Sequence, residues 1–209
     1  MFPVGARRTL RFDPLTTGRA SRVKVLFVAA LEEEADALAA HVEVCLLGVG
    51  KVQAAAALAA RLHRDASDLV VNIGTAGGLQ GQSVGEVVEI GTVHQHDFDH
   101  AGVSAFVGRA LPGGPLTLDG PPGADGRLTT GDRLITSTTA RERLAARADV
   151  VDMEGYAVAA TARALGRQVW LAKAVSDGAG EQVAVEWPEA LARCSEALAG
   201  WAASRGLLE

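Results

Sequence analysis

The sequence predicts a three-layer α/β/α fold with a twisted, mostly parallel central sheet. Short apolar segments of strand length alternate with alanine-rich segments of helical length along the chain. This alternation is typical of a sheet that carries helices on both faces. With 209 residues, of which 48% are hydrophobic and 22% charged, the chain fits one large core better than two. Aromatic residues make up only 4%, so we expect an aliphatic core with helices packed through alanine faces.

The first elements repeat one strand–helix pattern. We predict a buried strand over residues 23–29 and a helix over residues 31–40, whose early glutamates complement the helix dipole. A short strand over residues 44–47, a tight turn over residues 48–50 and a helix over residues 51–62 repeat the pattern. The alanine content of the second helix gives it high intrinsic propensity.

The middle of the chain contains more glycine and proline. We predict a buried strand over residues 68–73 that is closed by a glycine-rich turn over residues 74–78. A further strand covers residues 86–94, and glycines and prolines mark residues 108–131 as loop-rich. Regular structure is expected to resume at residues 131–136.

The last third of the chain returns to the regular pattern. We predict a helix over residues 153–165, which Gly166 stops, and a strand over residues 168–175. A final helix over residues 188–204 places Pro188 in its first turn and presents one apolar face.

Composition also limits the location and the partners of the chain. Residues 1–22 are arginine-rich without periodicity, which predicts a poorly ordered extension before a single domain over residues 23–209. The extension lacks the apolar core of a secretory signal and no apolar run has membrane-spanning length, so we expect a cytoplasmic location and no membrane. A net charge of -5 without a long basic stripe argues against nucleic acid. Cys45 and Cys194 belong to no metal or redox motif, so we expect both to be reduced.

Three acids, Glu34, Glu154 and Asp177, stand out at or just beyond the carboxyl ends of predicted strands. Each acid taken alone is better explained by a helix start or a turn than by a site. In an open parallel sheet, however, those ends converge on one crevice where ligands bind. Three acids with no lysine or arginine in comparable positions make a poor phosphate site and suit a hydroxylated, cationic or protonatable ligand.

Six short motifs follow one another along the chain between about residue 23 and residue 179. They are Ala-Leu-Glu-Glu-Glu at residues 30–34, Gly-Val-Gly-Lys-Val at 48–52, Asn-Ile-Gly-Thr-Ala-Gly-Gly-Leu at 72–79, Thr-Gly-Asp at 130–132, Asp-Met-Glu-Gly at 152–155 and Val-Ser-Asp at 175–177. In this order and spacing they resemble the nucleoside phosphorylase and nucleosidase superfamily, in particular its methylthioadenosine/S-adenosylhomocysteine nucleosidase branch.

The resemblance implies a nucleoside phosphorylase-like fold and hydrolysis of the N-glycosidic bond of an adenosine-like purine nucleoside, with a 5′-thio derivative as one candidate. Glu34 would polarise the attacking water, and Asp177, oriented by Ser176, would protonate the purine at N7. Met153 and Glu154 would pack on the ribose and bind its hydroxyls. The remaining substrate-binding residues that it implies are Thr75, Ala76, Gly77, Leu134, Ile135 and Asp152. It also implies a homodimer and a reaction without a cofactor or a metal, although His94, His96 and His100 lie close together in sequence.

Charge favours water over phosphate as the acceptor of the ribosyl group. Asn72 stands where the phosphorylases that the chain resembles typically carry an arginine, and Glu34 would repel a phosphate. Lys51 is the nearest cation by motif, and we expect it to point to solvent at a helix start. A phosphate-dependent purine nucleoside phosphorylase and a nucleoside-binding protein without turnover remain the alternatives.

Overall fold

A computed structural model describes residues 23–208 of the chain, so the predicted extension over residues 1–22 lies outside the described residues. The described part contains eight strands and six helices. In chain order these are β1 (Val25–Ala29), α1 (Glu32–Ala39), β2 (Val44–Leu46), α2 (Lys51–Arg64), β3 (Leu69–Gly78), β4 (Val87–Gln95), α3 (His100–Val107), β5 (Leu116–Thr117), β6 (Gly126–Thr130), α4 (Thr138–Ala145), β7 (Val150–Asp152), α5 (Gly155–Ala164), β8 (Gln168–Asp177) and α6 (Val183–Ser204).

The eight strands form one mixed sheet, in which five of the eight strand pairings are parallel. Strands β2, β1, β3 and β8 run parallel to one another, and β4, β6 and β7 form a second parallel group. Two antiparallel pairings, β3 with β7 and β4 with β8, join the groups, and β5 adds an antiparallel edge to β4. The pairings of β3, β8, β4, β6 and β7 therefore close a ring, which leaves those strands without open edges.

Two separate apolar clusters lie against the sheet, each with its own pair of helices. Helix α2 packs with α5, and α1 packs with α6. Along β1, Leu26 and Val28 belong to the cluster with α2 and α5, whereas Phe27 and Ala29 belong to the cluster with α1 and α6. This alternation follows from the two-residue period of a strand, whose successive side chains point to opposite faces.

The glycine-rich stretch of residues 74–78 is part of β3 and does not form the predicted turn. Its pairing with β8 continues through Gly77, so long-range hydrogen bonding outweighs the local turn preference of the glycines. The loop-rich stretch of residues 108–131 contains the short strands β5 and β6, and residues 131–136 form a loop.

Helix α6 begins at Val183, five residues before Pro188, whereas the sequence predicts a start at the proline. Pro188 has no N–H to donate to the carbonyl of Ala184, so it interrupts the hydrogen bonding between the first turn of α6 and the rest of the helix. The first turn is thus a distinct segment.

Both cysteines are free, and the Cys194 thiol is buried. Among residues 23–208, no helix is long and apolar enough to cross a membrane.

Candidate active site

A cavity of about 300 Å³ lies where the ends of β1, β7 and β8 meet the second half of β3 and the first turn of α6. Ten of the eleven residues predicted for the site line this cavity, although they come from distant parts of the chain. These residues are Glu34, Thr75, Ala76, Gly77, Leu134, Asp152, Met153, Glu154, Ser176 and Asp177.

Ile135 is the predicted residue that does not line this cavity. It lines an adjoining recess of about 40 Å³ and packs against the small apolar cluster that contains Leu79, Val151 and Ala179. Leu134 borders both spaces and is 61% exposed. Leu134 thus stands at the mouth of the cavity, and Ile135 supports the wall behind it.

Glu34 is buried at the start of α1, and three donors hold its carboxylate. Oε1 accepts hydrogen bonds from the backbone N–H and the hydroxyl of Thr75, both at 2.7 Å. Oε2 accepts the N–H of Leu31 at 3.2 Å, an arrangement that also caps the helix. A carboxylate has about four acceptor positions, so these contacts leave room for one more donor from the cavity.

Asp177 is buried at the end of β8, just after an irregularity in the strand. Ala76 of β3 pairs with Val175 and Gly77 pairs with Asp177, so Ser176 is an extra residue. Such a bulge turns the next side chain, here a carboxylate, to a new direction. The Ser176 hydroxyl donates to Oδ2 at 2.7 Å and the N–H of Ala179 donates to Oδ1 at 2.8 Å. These two donors fix the carboxyl group.

Two glycines of β3 let the backbone approach these carboxylates closely. A Cβ atom at Gly77 would lie 2.9 Å from Cβ of Ala179 and 3.1 Å from Oδ1 of Asp177. At Gly74 it would lie 3.2 Å from Oε1 of Glu34. Glycine within a strand often marks such an approach, so the glycines that suggest a turn in the sequence serve the site.

Glu154 is buried between β7 and α5, and its Oε1 accepts the N–H of Gly50 at 2.7 Å. Burial, and then the negative charge of Asp152, raise the pKa of Glu154 to about 7. This single backbone donor and the nearby ammonium group of Lys173 only partly offset these effects. Glu154 therefore changes its charge near neutral pH.

Asp152 lines the cavity, but protein groups occupy its oxygens. Its Oδ2 forms an ion pair with Nζ of Lys173 at 2.9 Å and accepts the N–H of Gly155 at 2.8 Å. Its Oδ1 accepts the hydroxyl of Thr130 at 2.6 Å. This bonding fits a residue that supports the turn carrying Met153 and Glu154 better than one that contacts a ligand.

Lys173, in β8, lies beside these acids and was not predicted from the sequence. Its side chain is only 2% exposed. Burial alone lowers the pKa of Lys173, but the charges of Asp152, Glu154 and Glu34 outweigh burial and raise that pKa above its ordinary value. The available signal in the sequence was a single lysine within an apolar strand. A lysine at such a position is buried only when an acidic partner pairs with it.

Lys51 binds the loop that carries Leu134. The prediction that its side chain points to solvent is therefore wrong. Its Nζ pairs with Asp97 and lies 3.7 Å from Oδ2 of Asp132. Its backbone N–H donates to Oδ1 of Asp132 at 2.8 Å, and the N–H of Asp132 donates to Asp97 at 2.9 Å. The Gly50–Lys51 turn is thereby bound to Glu154 on one side and to the Leu134 loop on the other.

The first turn of α6 supplies cavity residues that the sequence analysis also missed: Val183, Ala184 and Trp187. The indole N–H of Trp187 donates to the hydroxyl oxygen of Thr75 at 3.0 Å. A tryptophan shortly after the Asp177 loop was the available signal, in a chain with 4% aromatic residues.

Tyr156 lies outside the cavity lining and binds a neighbouring segment, since its hydroxyl donates to the carbonyl of Gly114 at 2.9 Å. Among residues 23–208, no group of histidine, cysteine, aspartate or glutamate side chains is arranged to hold a metal ion. His96 instead lies 3.3 Å from the Thr129 hydroxyl, and His100 lies 2.7 Å from the carbonyl of Leu111.

Residues 37–204 match the family model of the Phosphorylase superfamily. The chain is also 32% identical, over 172 residues, to a 5′-methylthioadenosine/S-adenosylhomocysteine nucleosidase from Bacillus subtilis (strain 168). That alignment covers 71% of this chain and 74% of the Bacillus protein.

Solved structures share the fold over most of the chain. The 5′-methylthioadenosine/S-adenosylhomocysteine nucleosidase from Neisseria meningitidis, in complex with methylthio-immucillin-A, has a TM-score of 0.73 and 28% identity. The match covers 88% of this chain and 100% of that one. Futalosine hydrolase of Helicobacter pylori has a TM-score of 0.76 at 18% identity, over 88% of this chain and 97% of that one, and is similar in fold alone.

Ionisation of Glu154 is expected to weaken the fold as the pH rises. The pKa in the folded chain is about 7, above the ordinary 4.5, so between these pH values the unfolded chain releases a proton that the folded chain keeps. This contribution is therefore fully present below about pH 4.5 and lost as the pH rises through about 7. Glu154→Gln removes the titration, so its stability relative to wild type should increase by about 1–3 kcal/mol from about pH 5 to 8. Urea unfolding of both proteins across this pH range measures the difference in free energy of unfolding. If the stability of wild type and of Glu154→Gln changed with pH in the same way, the prediction would be contradicted.

Proposed function

Since the chain belongs to the Phosphorylase superfamily, we propose that it is a nucleosidase, which hydrolyses the N-glycosidic bond of a purine nucleoside and releases the free base and a ribose derivative. One observation carries the proposal. Three buried carboxyl groups, those of Glu34, Glu154 and Asp177, border one cavity whose lining includes no lysine or arginine among the described residues.

Asp177 is assigned to the leaving base. Cleavage of the C1′–N9 bond passes through an oxocarbenium-like state, and protonation at N7 neutralises the departing purine. The hydrogen bonds from Ser176 and Ala179 support this role, because they hold the Asp177 carboxyl in one orientation at the cavity wall.

Glu34 is assigned to the water. Its three hydrogen bonds keep the carboxylate fixed and leave one acceptor position for a water that attacks C1′ from the face opposite the base. Two carboxyl groups with an attacking water between them follow the logic of an inverting glycosidase.

Met153 and Glu154 are assigned to the ribose, with Glu154 accepting hydrogen bonds from its hydroxyls. The Gly50 N–H occupies only part of the acceptor capacity of Glu154, which supports this assignment. Asp152 supports the turn from below.

The substrate is assigned as an adenosine-like nucleoside, with a 5′-thio derivative as a candidate. Apolar side chains cover much of the remaining wall and suit a purine ring and an apolar 5′ group. They are Leu31, Val49, Leu134, Val151, Val183 and Ala184. The Bacillus subtilis relative is named for 5′-methylthioadenosine and S-adenosylhomocysteine, in agreement with this assignment.

Water is favoured over phosphate as the acceptor on electrostatic grounds. A phosphate in this cavity would meet Glu34 and Glu154 without a cationic side chain on the wall. Lys173 does not line the cavity and is already paired with Asp152. Asn72 is buried beside β1, where its amide donates to the carbonyl of Val28 at 3.3 Å.

We also propose a three-layer arrangement, in which helices lie on both faces of the sheet. Two helix pairs on two separate apolar clusters support these layers.

We further propose that the protein is a homodimer and is located in the cytoplasm. Exposed apolar side chains, Phe106 at 92% and Val52 at 76%, support self-association, and two free cysteines suit a reducing compartment. Cell fractionation tests the cytoplasmic location, and absence of the protein from the cytosol would contradict it. Light scattering on the cytosolic protein tests the homodimer, and a monomer would contradict it.

A panel of purine nucleosides, assayed with and without inorganic phosphate, tests the reaction. We expect release of free adenine from adenosine-like substrates at the same rate in both conditions, because water is the acceptor. Chromatography of the free base provides the measurement. Strict dependence on phosphate would show a phosphorylase, and tight binding of a nucleoside without base release would show a binding protein.

Asp177→Asn should reduce turnover by at least about a hundredfold, because the amide cannot deliver a proton to the base. The side chain keeps its size and its acceptor for the Ala179 N–H, so the fold should persist. Asp119→Asn is the matched control, since Asp119 is exposed and lies outside the cavity lining. Initial rates of base release, with thermal unfolding of each variant, provide the measurement. Near-normal turnover by Asp177→Asn would remove Asp177 from the acid role.

A further inference from the structure

Trp187 begins a hydrogen-bonded chain that ends on the carboxylate assigned to the water. Its indole N–H donates to Oγ1 of Thr75 at 3.0 Å, and the Thr75 hydroxyl lies 2.7 Å from Oε1 of Glu34. An indole nitrogen can only donate, so the Thr75 oxygen must accept from it. The single hydroxyl proton of Thr75 is then available for Glu34, so all donors in this hydrogen-bonded series point from Trp187 toward Glu34.

We propose that Trp187 is a positioning residue, which acts through the Thr75 hydroxyl to hold Glu34 in the orientation that activates water. The inference rests on the proposed function. Without the indole N–H, the Thr75 hydroxyl gains freedom to rotate away from Glu34, and the carboxylate keeps only its two backbone donors, the N–H groups of Thr75 and Leu31. Hydrogen bonds to a charged group are stronger than those between neutral groups, so loss of the Thr75 hydroxyl bond loosens the orientation of Glu34. Glu34 then activates the attacking water less effectively.

The first turn of α6 fixes the indole in place. Oε2 of Glu186 accepts the N–H of Gly178 at 3.1 Å, which ties this turn to the loop that follows Asp177. Trp187 itself is half-buried and lines the cavity. One helical turn therefore contacts both halves of the site, the Asp177 loop through Glu186 and the Thr75–Glu34 pair through Trp187.

Trp187→Phe tests the inference, because it removes the N–H and keeps an aromatic ring. We expect kcat to fall about tenfold, the size of one hydrogen bond to a charged network, while KM for the nucleoside changes by less than about twofold. A residue that only fills space would alter KM as the cavity widens. Full retention of kcat in Trp187→Phe would overturn the inference.

A double-mutant cycle with Thr75→Val isolates the route. This change removes the hydroxyl, keeps the shape of the side chain and leaves the backbone N–H bound to Glu34. If Trp187 acts through the hydroxyl, Trp187→Phe has no further effect on kcat in the Thr75→Val background. An equal loss in both backgrounds would overturn the inference, even where the single variant is impaired.

Trp201→Phe is the matched control. Its indole N–H also donates to a carboxylate, Glu89 at 2.6 Å, but Trp201 lies outside the cavity lining, so the variant should keep full activity. Thermal unfolding of each variant accompanies the kinetics. If the wild-type protein releases no base, the proposed function and the inference fall together. If the wild type is active and Trp187→Phe is equally active, the inference alone fails.

Discussion

Buried negative charge is the constraint on which the rest of the site depends. Glu34, Glu154, Asp177 and Asp152 are all less than 10% exposed and border the same cavity. Lys173 is the buried cation that faces three of them, and its ion pair with Asp152 joins β8 to the end of β7. Because desolvation offsets much of the attraction in such a pair, its main contribution is geometry and not net stability. Asp152, thus fixed, holds the turn that presents Met153 and Glu154.

The carboxyl groups differ because their surroundings differ. Glu34 accepts three hydrogen bonds from protein groups, whereas Glu154 accepts one and has a pKa raised to about 7 by burial and by Asp152. Asp177 is held by a neighbouring hydroxyl and by the N–H of Ala179, whose backbone adopts a φ of 48°. That left-handed conformation is uncommon outside glycine. Different environments on one cavity allow acids of one chemical type to take different parts in one reaction.

Sequence was sufficient where the signal was local. Apolar periodicity placed most strands and helices, and the family resemblance pointed to ten cavity residues, among them Glu34 and Asp177. The mixed sheet and the strands β5 and β6 could not be predicted in this way, because strand pairing between distant segments decides them. Lys173 was missed for a related reason: its burial depends on Asp152, which lies 21 positions earlier in the chain. Trp187 was missed because the contact with Thr75 joins residues 112 positions apart.

We propose that this cavity, with its buried carboxyl groups, delivers water to the sugar carbon of a purine nucleoside. Hydrolysis of an adenosine-like nucleoside in ¹⁸O-labelled water, followed by mass spectrometry of the ribose product, measures this delivery directly. If water is the acceptor, one ¹⁸O atom is expected at C1′ when the product is analysed before its anomeric oxygen exchanges with solvent. A sugar phosphate without the label at C1′, formed when phosphate is supplied, would contradict it.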